Sequence, residues 1–176
     1  MGLFRIPFTV QVADVDETMD PGKEPYDQVA QISRRKAEAI DRMPQDVVIA
    51  ADTIVVCDGK ILGKPKDEAD AFAMLQLLSG RQHQVMTGMT VLYGDTCVSC
   101  TEVTDIHFRP LTDGEIRAYI ATKEPMDKAG SYGIQGGAAL FAEKLVGDYY
   151  NVVGLPVCTL GKILRSVAPE LMEESL

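Results

Sequence analysis

The chain is poor in histidine, in basic residues and in long apolar runs. Its two histidines, His83 and His107, both lie inside strand-like patterns. A two-histidine metal motif is therefore absent, and both read as packed or edge-strand residues. Seventeen Lys and Arg face 26 Asp and Glu, a formal charge of −9. A surface that acidic repels a polyphosphate backbone or an anionic bilayer, which argues against nucleic acid duplex and membrane as partners. A small anionic substrate would need a local basic or metal-containing pocket. No apolar run approaches the length of a membrane span. The opening Met1-Gly2-Leu3-Phe4-Arg5-Ile6-Pro7-Phe8 has neither a signal-peptide layout nor the Ser or Thr of a myristoylation signal, so a cytoplasmic location is expected. Four cysteines, Cys57, Cys97, Cys100 and Cys158, include one Cys-x-x-Cys spacing but no second pair to complete a zinc site; buried free thiols are expected. A G-x-x-x-x-G-K-S/T loop and a G-x-G-x-x-G spacing are missing, and Ser79 and Ser131 lack the context of a nucleophile elbow.

What is present is ordinary globular material: 176 residues, 46% hydrophobic and 24% charged. That suits one domain over 1–176, with no repeat or linker and an acidic tail over 167–176 expected to fray. Strands are expected at Ile6–Val12, Asp46–Cys57 and Lys60–Leu62, the last two joined by Asp58-Gly59. Gly94-Asp95 joins two long strands, Gln82–Tyr93 and Thr96–Phe108, and Ala138–Val146 reads as another. Helices are expected from Glu24 to about Arg42, from Asp67 to Leu78, from the capping box Thr112-Asp-Gly-Glu115 to about Ala121, and over Leu155–Arg165. The fold class is α/β, with a mixed sheet and helices on its faces.

Several residues sit where packing alone would not choose them. Lys36 falls within an apolar helical stripe of Val29, Ile32, Ala39, Ile40 and Met43. It must snorkel or meet an anion. Asp52 interrupts the apolar run Ile49-Ala-Ala-Asp-Thr-Ile-Val-Val56 and needs a cation or donor, unless it caps a neighbouring turn. Lys64 is presented between Gly63 and Pro65 on a stiff turn, which is also where a solvated lysine would lie. Gln135, in Ile134-Gln-Gly-Gly-Ala138, carries a donor and an acceptor that can read the edge of a base, or it belongs to a plain surface loop. Asp14-Val-Asp16-Glu17 clusters acids that could hold magnesium or form a solvated turn.

Together these stretches resemble the Maf family of nucleoside triphosphate pyrophosphatases, relatives of the inosine triphosphatases. The likeness runs from Gly2 to about Arg165 through Val15-Asp16-Glu17, Arg35-Lys36-Ala37, Ala50-Ala51-Asp52-Thr53 and Leu62-Gly63-Lys64-Pro65. It continues through Leu78-Ser79-Gly80-Arg81, His83 to Gly88, Asp127 to Gly136 and Tyr149-Tyr150-Asn151-Val-Val-Gly154-Leu155-Pro156. The resemblance implies an elongated mixed sheet, two lobes around a central cleft, a homodimer, and hydrolysis of a nucleoside triphosphate to monophosphate and pyrophosphate with Mg2+ or Mn2+. It implies Asp52, Lys36 and Lys64 as catalytic residues and Glu17 with Asp52 as metal ligands. Thr53 and Gln135 resemble the specificity residues of the dTTP and UTP subgroup. The family pattern opens with a strand and a Ser-x-Ser-x-x-Arg phosphate loop, and this sequence opens downstream of that loop. The expectation is a longer native protein or a shortened member. The alternative function is accordingly a catalytically weak or inactive nucleotide-binding or regulatory protein.

Overall fold

Gly94 and Asp95 join the two longest strands among the described residues. Strand β3 (Gln82–Tyr93) turns there into β4 (Thr96–Phe108), with the bounds that the sequence pattern predicts. The computed structural model describes residues 1–20 and 22–173. Strand β1 (Val48–Cys57) and the short β2 (Lys60–Leu62) form a second hairpin, in which Val55 faces Leu62 and Cys57 faces Lys60. Strand β5 (Ala142–Val146) runs antiparallel to β4, with a register shift at His107 and Phe108. The sheet has the order β2-β1-β3-β4-β5. Both outer pairings are antiparallel ladders, and the tight Asp58-Gly59 turn closes the first of them.

Six α-helices accompany the sheet among the described residues: α1 (Pro25–Glu38), α2 (Glu68–Leu78), α3 (Asp113–Ala121), α4 (Tyr149–Val153), α5 (Val157–Val167) and α6 (Glu170–Glu173). Their starts follow local chemistry. Asp67 caps α2 by accepting from the Asp70 N–H, and Thr112 and Glu115 complete both arms of the capping box at α3. Helix α1 ends at Glu38, short of the expected Arg42. Met43 is consequently 62% exposed, and the buried face of α1 is Val29, Ile32, Ser33 and Ala37.

Other sequence expectations change more. Residues 6–12 form no strand, since their alternating apolar side chains find no pairing partner: Val10 and Val12 are 82% and 93% exposed. The segment before β5 is a 3-10 turn over Gly137–Leu140, and α4 was not anticipated. Cys57 is buried, but Cys97 and Cys158 are exposed. In the expected tail, Glu170–Glu173 is helical and the Tyr93 hydroxyl donates to Glu170, while 174–176 lie outside the described residues.

The chain divides into two compact units, and β1, β3 and β4 each contribute to both. The first comprises Met1–Asp52, Gly88–Thr101 and the chain from Leu155 onward, with a core of Phe4, Met89, Val91, Leu160, Leu164 and Met172. The second comprises Thr53–Thr87 and Glu102–Gly154; Leu75, Leu78, Val85, Ile106, Phe108 and Ile116 are among its core residues.

Candidate active site

In the first unit, α1 is seated against β3 by the absence of a side chain. A Cβ on Gly88 would lie 2.2 Å from the Val29 carbonyl oxygen and 2.6 Å from the Ala30 nitrogen, so only glycine permits this approach. Hydroxyls continue the contact: Ser33 Oγ lies 2.8 Å from Thr90 Oγ1, which lies 2.8 Å from Ser99 Oγ. Thr101 Oγ1 donates to the Tyr26 carbonyl at 2.9 Å. Fixed in this way, the last turn of α1 carries Lys36, where the carboxyl end of the helix dipole favours a cation.

Lys36 Nζ donates to Asp52 Oδ1 at 2.7 Å and lies 2.8 Å from Glu17 Oε1. Three residues singled out in the sequence are thereby brought together. The side chains of Lys36 and Asp52 are 20% and 14% exposed, whereas Glu17 is 54% exposed. Burial would lower the lysine pKa, but the hydrogen bonds to Asp52 and Glu17 outweigh it and hold the pKa above its ordinary value. The ammonium is therefore charged at neutral pH. Gln28, 5% exposed, holds the approach to Glu17 by donating to the carbonyls of Asp20 and Lys23, both at 2.9 Å. Nothing in the sequence pattern distinguishes that glutamine.

Among the described residues no group of three His, Cys, Asp or Glu could cage a metal. Two hard carboxylates, Asp52 and Glu17, nonetheless suit magnesium or manganese. Such ions are commonly held by one or two carboxylates, with water and substrate phosphates completing the shell.

Thr53, Lys64 and Gln135 belong to the second unit. Thr53 Oγ1 lies 2.9 Å from Thr87 Oγ1 on β3, and Thr87 donates to the Asn151 carbonyl at 2.9 Å. Lys64 is exposed on its turn. The Gly130 N–H donates to the Gly63 carbonyl at 3.0 Å, tying that turn to the glycine-rich segment. Lys128, and more weakly Lys64, hold the exposed Asp127 carboxyl below its ordinary pKa.

Gln135 is exposed on a loop gripped at both ends by one carboxylate. Glu124 Oε2 accepts from the Gly137 N–H at 3.1 Å, and Oε1 accepts from the Tyr119 hydroxyl at 2.9 Å. The Tyr119 oxygen in turn accepts from the Gly133 N–H at 3.1 Å. A Cβ on Gly136 would lie 2.0 Å from Glu124 Oε1, which accounts for the glycine beside Gln135. The sequence pattern singles out neither Glu124 nor Tyr119, and it contains Thr87 and Asn151 only within longer family-like stretches. Beneath this loop the buried His83 lies 2.8 Å through Nε2 from the Tyr132 hydroxyl, and both rings pack edge-on against Phe108. Burial pushes the His83 pKa down to about 4, so this histidine is neutral and structural at pH 7.

No helix among the described residues is long and apolar enough to cross a membrane. The family profile described as Maf-like protein matches residues 1–167. A Bacillus cytotoxicus protein named dTTP/UTP pyrophosphatase is 48% identical over 164 residues, covering 93% of this chain and 86% of the relative. Proteins of the same name from Bacillus cereus and Bacillus thuringiensis are 47% identical, with the same coverage.

Proposed function

Because this chain belongs to the Maf-like protein family, we propose that it hydrolyses dTTP and UTP to the monophosphate and pyrophosphate. The names of the Bacillus relatives support the substrate pair. The observation that carries the chemistry is Lys36 held between Asp52 and Glu17. Water attacks the α-phosphorus, the α–β anhydride bond breaks, and pyrophosphate leaves. The Lys36 contact uses Asp52 Oδ1, so Oδ2 supplies the lone pair that orients the water and takes its proton. Lys36 fixes the Asp52 carboxyl for that role through its 2.7 Å contact with Oδ1. The family likeness assigns Lys64, on its exposed turn, to the charge developing on pyrophosphate. Asp52 and Glu17 would hold Mg2+ or Mn2+. The ion, when bound, polarises phosphorus and lowers the pKa of coordinated water. Thr53 and Gln135 read the base.

The deciding experiment measures pyrophosphate release from dTTP and UTP with magnesium, for the wild type and Asp52→Asn. Loss of the general base is expected to lower kcat by about 10²- to 10⁴-fold with an unchanged circular dichroism spectrum. Wild-type turnover in Asp52→Asn overturns the assignment. The same reading includes work in the cytoplasm as a homodimer. Phe8, Val10 and Val12, all more than half exposed, are apolar side chains that a second copy would cover. Sedimentation equilibrium is expected to give twice the 19.2 kDa chain mass, and a single species at the chain mass overturns the dimer.

A further inference from the structure

The hydroxyls of Thr53 and Thr87 form a short chain whose direction is set by its far end. Thr87 is fully buried on β3, and its Oγ1 lies 2.9 Å from the Asn151 carbonyl oxygen and 2.9 Å from Thr53 Oγ1. A carbonyl only accepts, so the single Thr87 proton goes to Asn151. The bond between the threonines must then use the Thr53 proton. Neither proton can be turned round while Asn151 stays in place, and Asn151 is heavily fixed. It is fully buried, its Nδ2 donates to the Val85 carbonyl at 3.1 Å and to Thr104 Oγ1 at 2.9 Å, and its carbonyl also accepts from the Gly154 N–H at 3.0 Å. Thr104 is saturated in turn, donating to the Asp148 carbonyl at 3.0 Å and accepting from the Asp148 N–H at 3.1 Å.

We propose that Thr87 and Asn151 are positioning residues that lock the Thr53 hydroxyl as a hydrogen-bond acceptor, so that Thr53 selects the ring N3–H of uracil and thymine. The proposal rests on the reading that Thr53 meets the base of the substrate. With its own proton committed inward, the half-buried Thr53 oxygen offers a ligand only lone pairs. On the pairing edge of uracil and thymine the sole donor is N3–H, flanked by two carbonyls. Cytosine presents a bare N3 lone pair there, and an acceptor facing an acceptor costs binding where water is excluded. A Thr53 hydroxyl free to rotate could donate to cytosine N3 and would not discriminate.

The test compares kcat/KM for UTP, dTTP, CTP and 3-methyl-UTP, which lacks the N3 donor, in the wild type, Thr87→Val and Thr87→Ser. The wild type is expected to prefer UTP over both CTP and 3-methyl-UTP. Thr87→Val should shrink the UTP-to-CTP ratio by about 10- to 100-fold, and Thr87→Ser should restore it. A purely structural Thr87 would lower all four substrates together and leave the ratio in place, which overturns the proposal. So does a wild type indifferent between UTP and CTP. If Thr87→Val fails to fold, Thr53→Val with Thr53→Ser as its rescue reads the same ratio, and an unchanged ratio in Thr53→Val is equally fatal. Absence of wild-type pyrophosphate release from every nucleotide would refute the pyrophosphatase reading separately. Titration of UTP and CTP binding would still decide the polarity of Thr53.

Discussion

Gly136→Ala tests whether the Gln135 loop is held by Glu124. The new methyl group would lie 2.0 Å from Glu124 Oε1 and 2.4 Å from Cδ, so the carboxylate must swing away. That movement releases two bonds at once, one from the Tyr119 hydroxyl and one from the Gly137 N–H. Bonds to a charged acceptor contribute about 1.5–3 kcal/mol each when intact. Gly137 is exposed and Glu124 only half-buried, so water recovers much of that loss, whereas Tyr119 is 5% exposed and its hydroxyl is left poorly served. A net cost of about 2 kcal/mol is expected, for Gly136→Ala and for Glu124→Ala alike. Because both variants lose the same two bonds, their effects should not add. In the Glu124→Ala background Gly136→Ala should be neutral, or stabilising by up to about 1 kcal/mol through the stiffer unfolded chain. The chain has no tryptophan, so urea unfolding followed by far-ultraviolet circular dichroism is the suitable assay. A double variant that loses about 4 kcal/mol, the sum of two independent effects, refutes the clamp. The functional counterpart is a rise in KM for UTP of about tenfold in either single variant, with a smaller change in kcat, since the loop positions Gln135 rather than reacting atoms.

Two further perturbations examine the frame around the site. Gly88→Ala drives a methyl group to 2.2 Å from the Val29 carbonyl, and backbone cannot yield as a side chain can; a loss of about 3 kcal/mol or more is expected in urea unfolding, and a loss below about 1 kcal/mol would show that α1 slides freely on β3. For His83, burial holds the folded-state pKa near 4 against an ordinary 6.5, with the Arg81 backbone only partly opposing it. The unfolded chain therefore takes up the proton first as pH falls. Stability is fully present above about 6.5 and is lost towards about 4, a span worth about 3 kcal/mol. His83→Gln should flatten that part of the pH–stability curve, and an unchanged slope in the variant would remove His83 as its cause.

Signals that act within a few residues were legible. The Gly94-Asp95 turn, the Thr112–Glu115 capping box and the Asp67 cap place β3, β4, α2 and α3 at or within a residue of their expected bounds, because each cap or turn satisfies backbone groups that lie next to it in sequence. The strand expected over 6–12 fails for the complementary reason. Alternation describes what a strand would bury, not whether another strand lies beside it, and Val12 is 93% exposed.

The candidate site follows the same division. Lys36 and Asp52, 16 residues apart, were each conspicuous as a charge in an apolar pattern, and the cost of burying a charge alone required each to have a partner. Thr87 and Asn151 sent no such signal. Threonine is at home in a strand, and an asparagine in a short helix breaks no rule. What makes them informative is the direction of a proton passed between residues 34 and 64 positions apart, and direction exists only once three oxygen atoms have been brought within 2.9 Å of one another in sequence. Glu124 shows the intermediate case. A glycine at 136 frees the backbone to approach a ligand, yet the atom that forbids a side chain there is Oε1 of a glutamate in the same chain. A glycine beside a recognition residue therefore supports two different physical causes, approach by substrate and support from beneath. Only the second makes Gly136→Ala harmless when Glu124 is already gone.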